Sequence, residues 1–156
     1  LTFDYPESAE AVGEYVKSQL EELGIGVKLN PLTDELLQQK VLAGTTDMYF
    51  LGWRSELGDA IDFLTAVAHS RNSQKGYGLY NGSGYENAEV DALIEDGQEN
   101  LNMKKRLVAL QQAMKILVKE DILAIPLYEA EIIYAYQKNL HFEPRVDGYV
   151  HASEIY

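Results

Sequence analysis

Apolar residues recur along this chain with two periods, and the alternation between them lays out the fold. Residues 1–5 read as a strand. Val12, Val16, Leu20 and Leu23 then fall three or four apart on one helical face, with Ser8 as the expected N-cap and Gly24 as the stop. Ile25, Val27 and Leu29 alternate with Gly26 and Lys28 as in a half-buried strand, which Asn30-Pro31 should break. Thr33 is placed to cap a second helix, with Asp34 and Glu35 in its positive first turn, Leu37 and Val41 on its inner face and Gly44 at its end. A further strand is expected over 48–51. This β-α-β-α-β order implies right-handed crossovers and an α/β fold with a mostly parallel sheet flanked by helices.

The second half is patterned differently. Asp59 or Asp62 should open a short helix through Ile61, Leu64 and Ala68. Residues 70–87 are rich in Ser, Asn, Gly and Tyr and carry no sustained period, which predicts a long loop. Asn87 is the expected cap of a helix containing Val90, Leu93 and Ile94. Asn102 caps a longer one with the stripe Leu107, Leu110, Met114 and Leu117, and both helices are expected to cover the sheet. Residues 122–127 and 132–136 read as two more strands, the first at an edge because of Pro126. The chain after Lys138 looks irregular. No repeat or shift in composition divides it, so residues 1–156 are expected to form a single lobe.

Composition narrows the function. Twenty-five acidic against 13 basic residues leave a formal charge of −12, which disfavours phosphate backbones and anionic lipid surfaces and so excludes nucleic acid as the expected partner. The absence of cysteine removes disulfides, thiolate metal sites and a Cys nucleophile. His69, His141 and His151 have no metal-ligand spacing, Gly-x-Ser-x-Gly is missing, and Gly82-Ser83-Gly84 lacks the lysine of a phosphate loop. No metal site or cofactor is expected. No apolar run approaches the roughly 18 residues of a membrane span.

The candidate chemistry lies in the segment Asp47-Met48-Tyr49-Phe50-Leu51-Gly52-Trp53-Arg54-Ser55-Glu56-Leu57-Gly58-Asp59, a strand that opens into an acidic loop beside the only tryptophan. Open α/β sheets place ligands at the carboxyl ends of their strands. Trp53 could cover a ligand while Glu56 pairs with an ammonium group. Alternatively, Trp53 plugs the sheet end, Asp59 caps the next helix and Glu56 is solvated. A third reading makes Glu56 and Asp59 the acid–base pair of a glycosidase. Tyr77, Tyr80 and Tyr85 could line a cleft or anchor their own loop.

The ordered set Gln19-Leu20-Glu21-Glu22-Leu23-Gly24-Ile25, Asp47 to Gly52-Trp53, Asp59 with Phe63-Leu64, Tyr85-Glu86-Asn87 running into Val90 to Ile94, Arg106-Leu107 and Ile125-Pro126-Leu127-Tyr128 resembles the C-terminal lobe of the extracytoplasmic oligopeptide and dipeptide solute-binding proteins of ABC transporters, the family 5 type. The resemblance implies a non-catalytic, periplasmic or surface-anchored binding protein. Its periplasmic-binding-protein-like lobe would be one of two that close around a solute and deliver it to a membrane permease. It further implies backbone contact or cover from Gly52, Trp53, Arg54 and Ser55, and an ammonium-reading carboxylate at Glu56. Family members with known peptide ligands typically have Asp at the Glu56 position and often Pro where Ala60 stands. Oligosaccharides, nickel complexes and opine-like solutes, or a ligand-sensing lobe of a transcriptional regulator, are the alternatives that the same fold leaves open. The opening without methionine fits a fragment whose N-terminal lobe is missing, and an exposed strand edge would invite dimerisation.

Overall fold

The computed structural model describes residues 1–55, 58–145 and 148–156. Its sheet holds three parallel strands, β1 (Thr2–Pro6), β2 (Lys28–Leu32) and β3 (Met48–Tyr49), in the order β2-β1-β3. Helix α1 (Glu10–Glu22) connects β1 to β2, and α2 (Asp34–Ala43) connects β2 to β3. The chain moves outward from β1 in one direction and then in the other, so right-handed crossovers set the two helices on opposite faces of the sheet.

Alternation along β1 serves both faces. Phe3 and Tyr5 are buried with Val27, and Val16 and Leu20 of α1 pack against them. Gly13 permits this approach, since a Cβ there would lie 2.7 Å from the Tyr5 ring. Asp4 is fully buried and is engaged by α2 and β2: the Lys40 Nζ donates to both carboxylate oxygens at 2.7 Å, and the Asn30 amide donates at 2.5 Å. A carboxylate out of water needs such a partner, because one left unpaired costs several kcal/mol, about 3–5 in measured cases.

The local signals of α2 act as expected. The Thr33 hydroxyl accepts from the Leu36 N–H at 3.4 Å, and Gly44 closes the helix with φ +65°. Several other expectations are corrected. Ser8 lies in a 3-10 turn (Glu7–Ala9), and the cap position of α1 falls on Ala9, which makes no side-chain cap bond. Leu23 is 76% exposed, outside the apolar face assigned to it. β2 starts later than its alternation implied and runs through Asn30-Pro31; a proline is tolerated because β2 is an outer strand of this sheet. β3 is shorter than 48–51, although the Phe50 N–H still donates to the Asp4 carbonyl at 2.9 Å.

The second half builds a core of its own. Helix α3 (Ile61–Phe63) widens into a π turn (Leu64–Ala68) closed by the His69 N–H on the Leu64 carbonyl at 2.9 Å. Helix α4 (Ala88–Glu99) is capped by the Asn87 side chain, and α5 (Met103–Lys115) by that of Asn102 before a second π turn (Ile116–Glu120). Leu64, Val90, Ile94, Ala113 and Leu117 pack together there with almost no exposure. The expectation that α4 and α5 cover the sheet is thereby corrected. Its two faces are taken by α1 and α2, and the apolar stripes of α4 and α5 find each other and the helix at 61–68. Leu107, assigned to the inner stripe, is 55% exposed. α4 and α5 meet at Gly97, where an added Cβ would overlap a Leu110 methyl.

The strands expected at 122–127 and 132–136 are absent among the described residues; both segments carry no regular structure, Ile122 takes a left-handed φ of +51°, and Ile125 and Ile133 are 73% and 89% exposed. A β-prone sequence acquires strand hydrogen bonds only from a neighbour, and the sheet in this chain offers them none. The described residues after Lys138 are irregular apart from a 3-10 turn (Ala152–Glu154). No helix among the described residues is long and apolar enough to cross a membrane.

Candidate functional site

A groove of about 620 Å³ opens where the three strands end and α1 and α2 begin. Pro6 closes β1 beneath it, Phe50, Leu51 and Gly52 leave β3 along one wall, and Leu37 with Gln38 of α2 stand opposite. Tyr80 reaches in from the long loop and Tyr128 from the irregular segment at 122–136. The Phe50 and Tyr128 rings stack with centroids 6.2 Å apart. Gln38 Nε2 donates to the Tyr80 hydroxyl at 2.9 Å and so orients that ring. This is the position at which open α/β sheets bind ligands, and it follows from strand direction alone.

Of the residues singled out in the sequence, Gly52, Trp53 and Tyr80 converge. Gly52 is exposed, with no atom within 4 Å of the point where a Cβ would sit, so its backbone can be approached closely. Trp53 stands behind Tyr80, edge-on to it at 5.8 Å and to Phe63 at 6.0 Å. Its indole N–H is buried and has no hydrogen-bond partner among the described residues. The Trp53 ring therefore braces the groove wall through aromatic packing. Arg54 turns towards the C-terminal segment, with its guanidinium 5.3 Å from the Tyr149 ring. The Ser55 hydroxyl folds back onto the Asp59 carbonyl at 2.8 Å. Glu56 lies outside the described residues.

Tyr77 and Tyr85 anchor the long loop and do not line the groove. The Tyr77 ring stacks on buried His69 at 4.2 Å, and its hydroxyl donates to Gln98 of α4. The Tyr85 hydroxyl donates to the Asp121 carboxylate at 2.5 Å. Burial and that carboxylate together push the Tyr85 hydroxyl above the usual phenol range, while the Tyr85 and Asn87 hydrogen bonds hold Asp121 below the usual carboxylate range.

Asp59 works as a brace one residue ahead of the α3 cap position, which falls on Ala60 and makes no side-chain cap bond. One carboxylate oxygen accepts from the Ile61 N–H at 2.8 Å; the other is held by the Arg106 guanidinium, whose second arm donates to the Gly97 carbonyl. Partial burial raises the Asp59 carboxyl, but the Arg106 hydrogen bond, the Ile61 N–H and the Arg106 charge outweigh it and keep the group below its ordinary value. Both oxygens are thus committed to the fold. A glycosidase needs this carboxyl poised at a sugar, which leaves that alternative without support from Asp59. Phe50, Tyr128 and Gln38 line the groove and were missed by pattern reading. Phe50 and Tyr128 carry the ordinary signal of core strand residues, and Gln38 that of a solvated helix face.

A parallel sheet with helices on both faces and an open, aromatic-walled groove at its strand ends is the fold of a periplasmic-binding-protein lobe. Comparison with known proteins shows what the chain is similar to. Residues 1–75 match the family described as bacterial extracellular solute-binding proteins, family 5 Middle. The chain is 30% identical over 155 residues to the probable D,D-dipeptide-binding periplasmic protein DdpA of Escherichia coli (strain K12), which covers 96% of this chain and 28% of that protein. It is 28% identical over 114 residues to the probable di/tripeptide-binding protein 5 of Pseudomonas aeruginosa (strain UCBPP-PA14), covering 73% and 21% respectively. The fold of the substrate-binding domain of an oligopeptide ABC transporter from Bacillus anthracis superposes with a TM-score of 0.71 at 24% identity, over 83% of this chain and 25% of that one. Similarity to the family 5 solute-binding proteins is carried by residues 1–75 in the family match and runs along most of the chain in these relatives. The chain spans between a fifth and a third of the length of the curated relatives it matches.

Proposed function

We propose that this chain is one wall of a solute-capture cleft, which takes up short peptides outside the cytoplasm and passes them unaltered to an ABC-type permease. The observation that carries this reading is the strand-end groove, where the backbone at Leu51 and Gly52 is open to a ligand and apolar rings surround it. An extended peptide laid along such a backbone gains main-chain hydrogen bonds irrespective of its side chains, and this supports broad peptide selectivity. The names of the curated relatives, a D,D-dipeptide-binding and a di/tripeptide-binding protein, support the same class of solute. A second lobe supplies the opposite wall, and closure of the two lobes provides the affinity.

Glu56 is the candidate reader of the peptide ammonium. In the longer protein that contains this chain, Glu56→Gln is expected to weaken free-amino tripeptides by roughly tenfold or more while leaving N-acetylated ones nearly unchanged, since only the former present a cation. Calorimetry with both series checks this, and equal losses for the two would remove the role. The 156-residue chain alone is expected to bind the same peptides far more weakly than the longer protein does.

A further inference from the structure

The loop that leaves the groove wall is tied down at three points. Trp53 is wedged between Phe63 and Tyr80, Ser55 is bonded to the Asp59 carbonyl, and Asp59 is held by Arg106. The third tie differs in kind. Arg106 sits at the start of α5, 47 residues from Asp59, and its side chain is only 16% exposed. Its planar fork spans two acceptors on different elements, the Asp59 carboxylate and the Gly97 carbonyl of α4. The tight α4–α5 contact at Gly97, where Leu110 leaves no room for a Cβ, brings that carbonyl within reach.

We propose that Arg106 is a positioning residue for the solute: by bridging Asp59 to the Gly97 carbonyl, it sets the loop of Trp53, Arg54 and Ser55 against the rigid α4–α5 pair and so fixes the groove wall. This rests on the peptide-capture reading for its functional meaning. A brace built this way acts at a distance. Arg106 does not line the groove, yet the wall depends on it.

Trp53 is the only tryptophan of the chain, so its fluorescence reports the wall directly. In the 156-residue chain, Arg106→Gln is expected to raise acrylamide quenching of Trp53 by about twofold with helical circular dichroism retained, and Asp59→Asn to do the same; the double variant should be no worse than either single change. Arg106→Lys, which keeps the charge but lacks the planar fork that spans the two acceptors, should rescue part of the effect. If Arg106→Gln fails to fold, Asp59→Asn carries the test. Unchanged quenching in folded variants would overturn the proposal. In the longer protein, Arg106→Gln should weaken tri-alanine by roughly tenfold at temperatures well below unfolding. A lowered melting temperature with unchanged affinity would also overturn it, because a purely structural tie predicts that pattern. If the parent protein fails to bind tri-alanine while Trp53 quenching responds as stated, the peptide reading falls and the positioning of the loop stands.

Discussion

Ile94 and Ile133 are the same side chain in opposite settings. Ile94 lies fully buried where α4 packs on α5 and the helix at 61–68, while Ile133 is 89% exposed on a segment that pairs with no strand among the described residues. Both regions are rich in branched apolar residues, so hydrophobicity does not separate them. The difference is where the backbone finds its hydrogen bonds. A helix satisfies its own, and two capped helices need only lay their stripes together. A strand has none until another arrives, and in the segment 122–136 Leu123 packs on the helical core while Ile125, Ile132 and Ile133 stay exposed. An unpaired apolar segment of this kind is also where a further chain could pair, so association through it would appear as a concentration-dependent mass in light scattering.

The contrast can be broken most directly by Ile94→Ala. It is expected to cost about 3–4 kcal/mol in chemical denaturation, as for other large-to-small changes in filled cores. Ile133→Ala should fall within about 0.5 kcal/mol; a comparable loss at both positions would mean that the tail is packed. Gly97→Ala should destabilise by roughly 1–3 kcal/mol, since its methyl would displace Leu110 and loosen the α4–α5 contact. A milder effect than Ile94→Ala is expected because part of the clash can be relieved by repacking.

A smaller prediction concerns acid. The Asp59 carboxyl titrates lower in the folded chain than its ordinary value of 3.8, so the unfolded chain binds this proton at higher pH. Its stabilising contribution is complete above the ordinary value and is lost as pH falls through the lower folded one. Because the Asp59 side chain is 38% exposed, solvent screening keeps this contribution to no more than about 1 kcal/mol. Trp53 fluorescence should therefore show a shallow acid transition before global unfolding, and Asp59→Asn should abolish it. Persistence of that transition in the variant would assign it to another carboxylate.

How much was legible along the chain follows from the range of each interaction. Thr33, Asn87 and Asn102 cap helices through bonds to N–H groups two or three residues away, and Gly44 takes a left-handed turn that any other residue would resist; such features are complete within one stretch of sequence. The parallel direction of β1, β2 and β3 was readable for a related reason, because helices of that length between strands leave few topologies; their order β2-β1-β3 was not. The strand-end location of the groove followed with that direction. The buried Asp4 with Lys40 and Asn30, the Gln38–Tyr80 contact and the Arg106–Asp59 tie were not readable, since each joins residues 26 to 47 positions apart.

The Asp47–Asp59 motif by itself therefore pointed to the end of the third strand, where a groove opens, because periodicity and turn chemistry act over a few residues. Only the tertiary structure decided what the described members of the motif do there. It set Gly52 open to the groove, packed Trp53 behind Tyr80, folded Ser55 onto the Asp59 carbonyl and committed Asp59 to Arg106. These roles depend on distances between elements, and burial and charge pairing across such distances are set when the helices and the sheet come together, not by the order of residues within the loop.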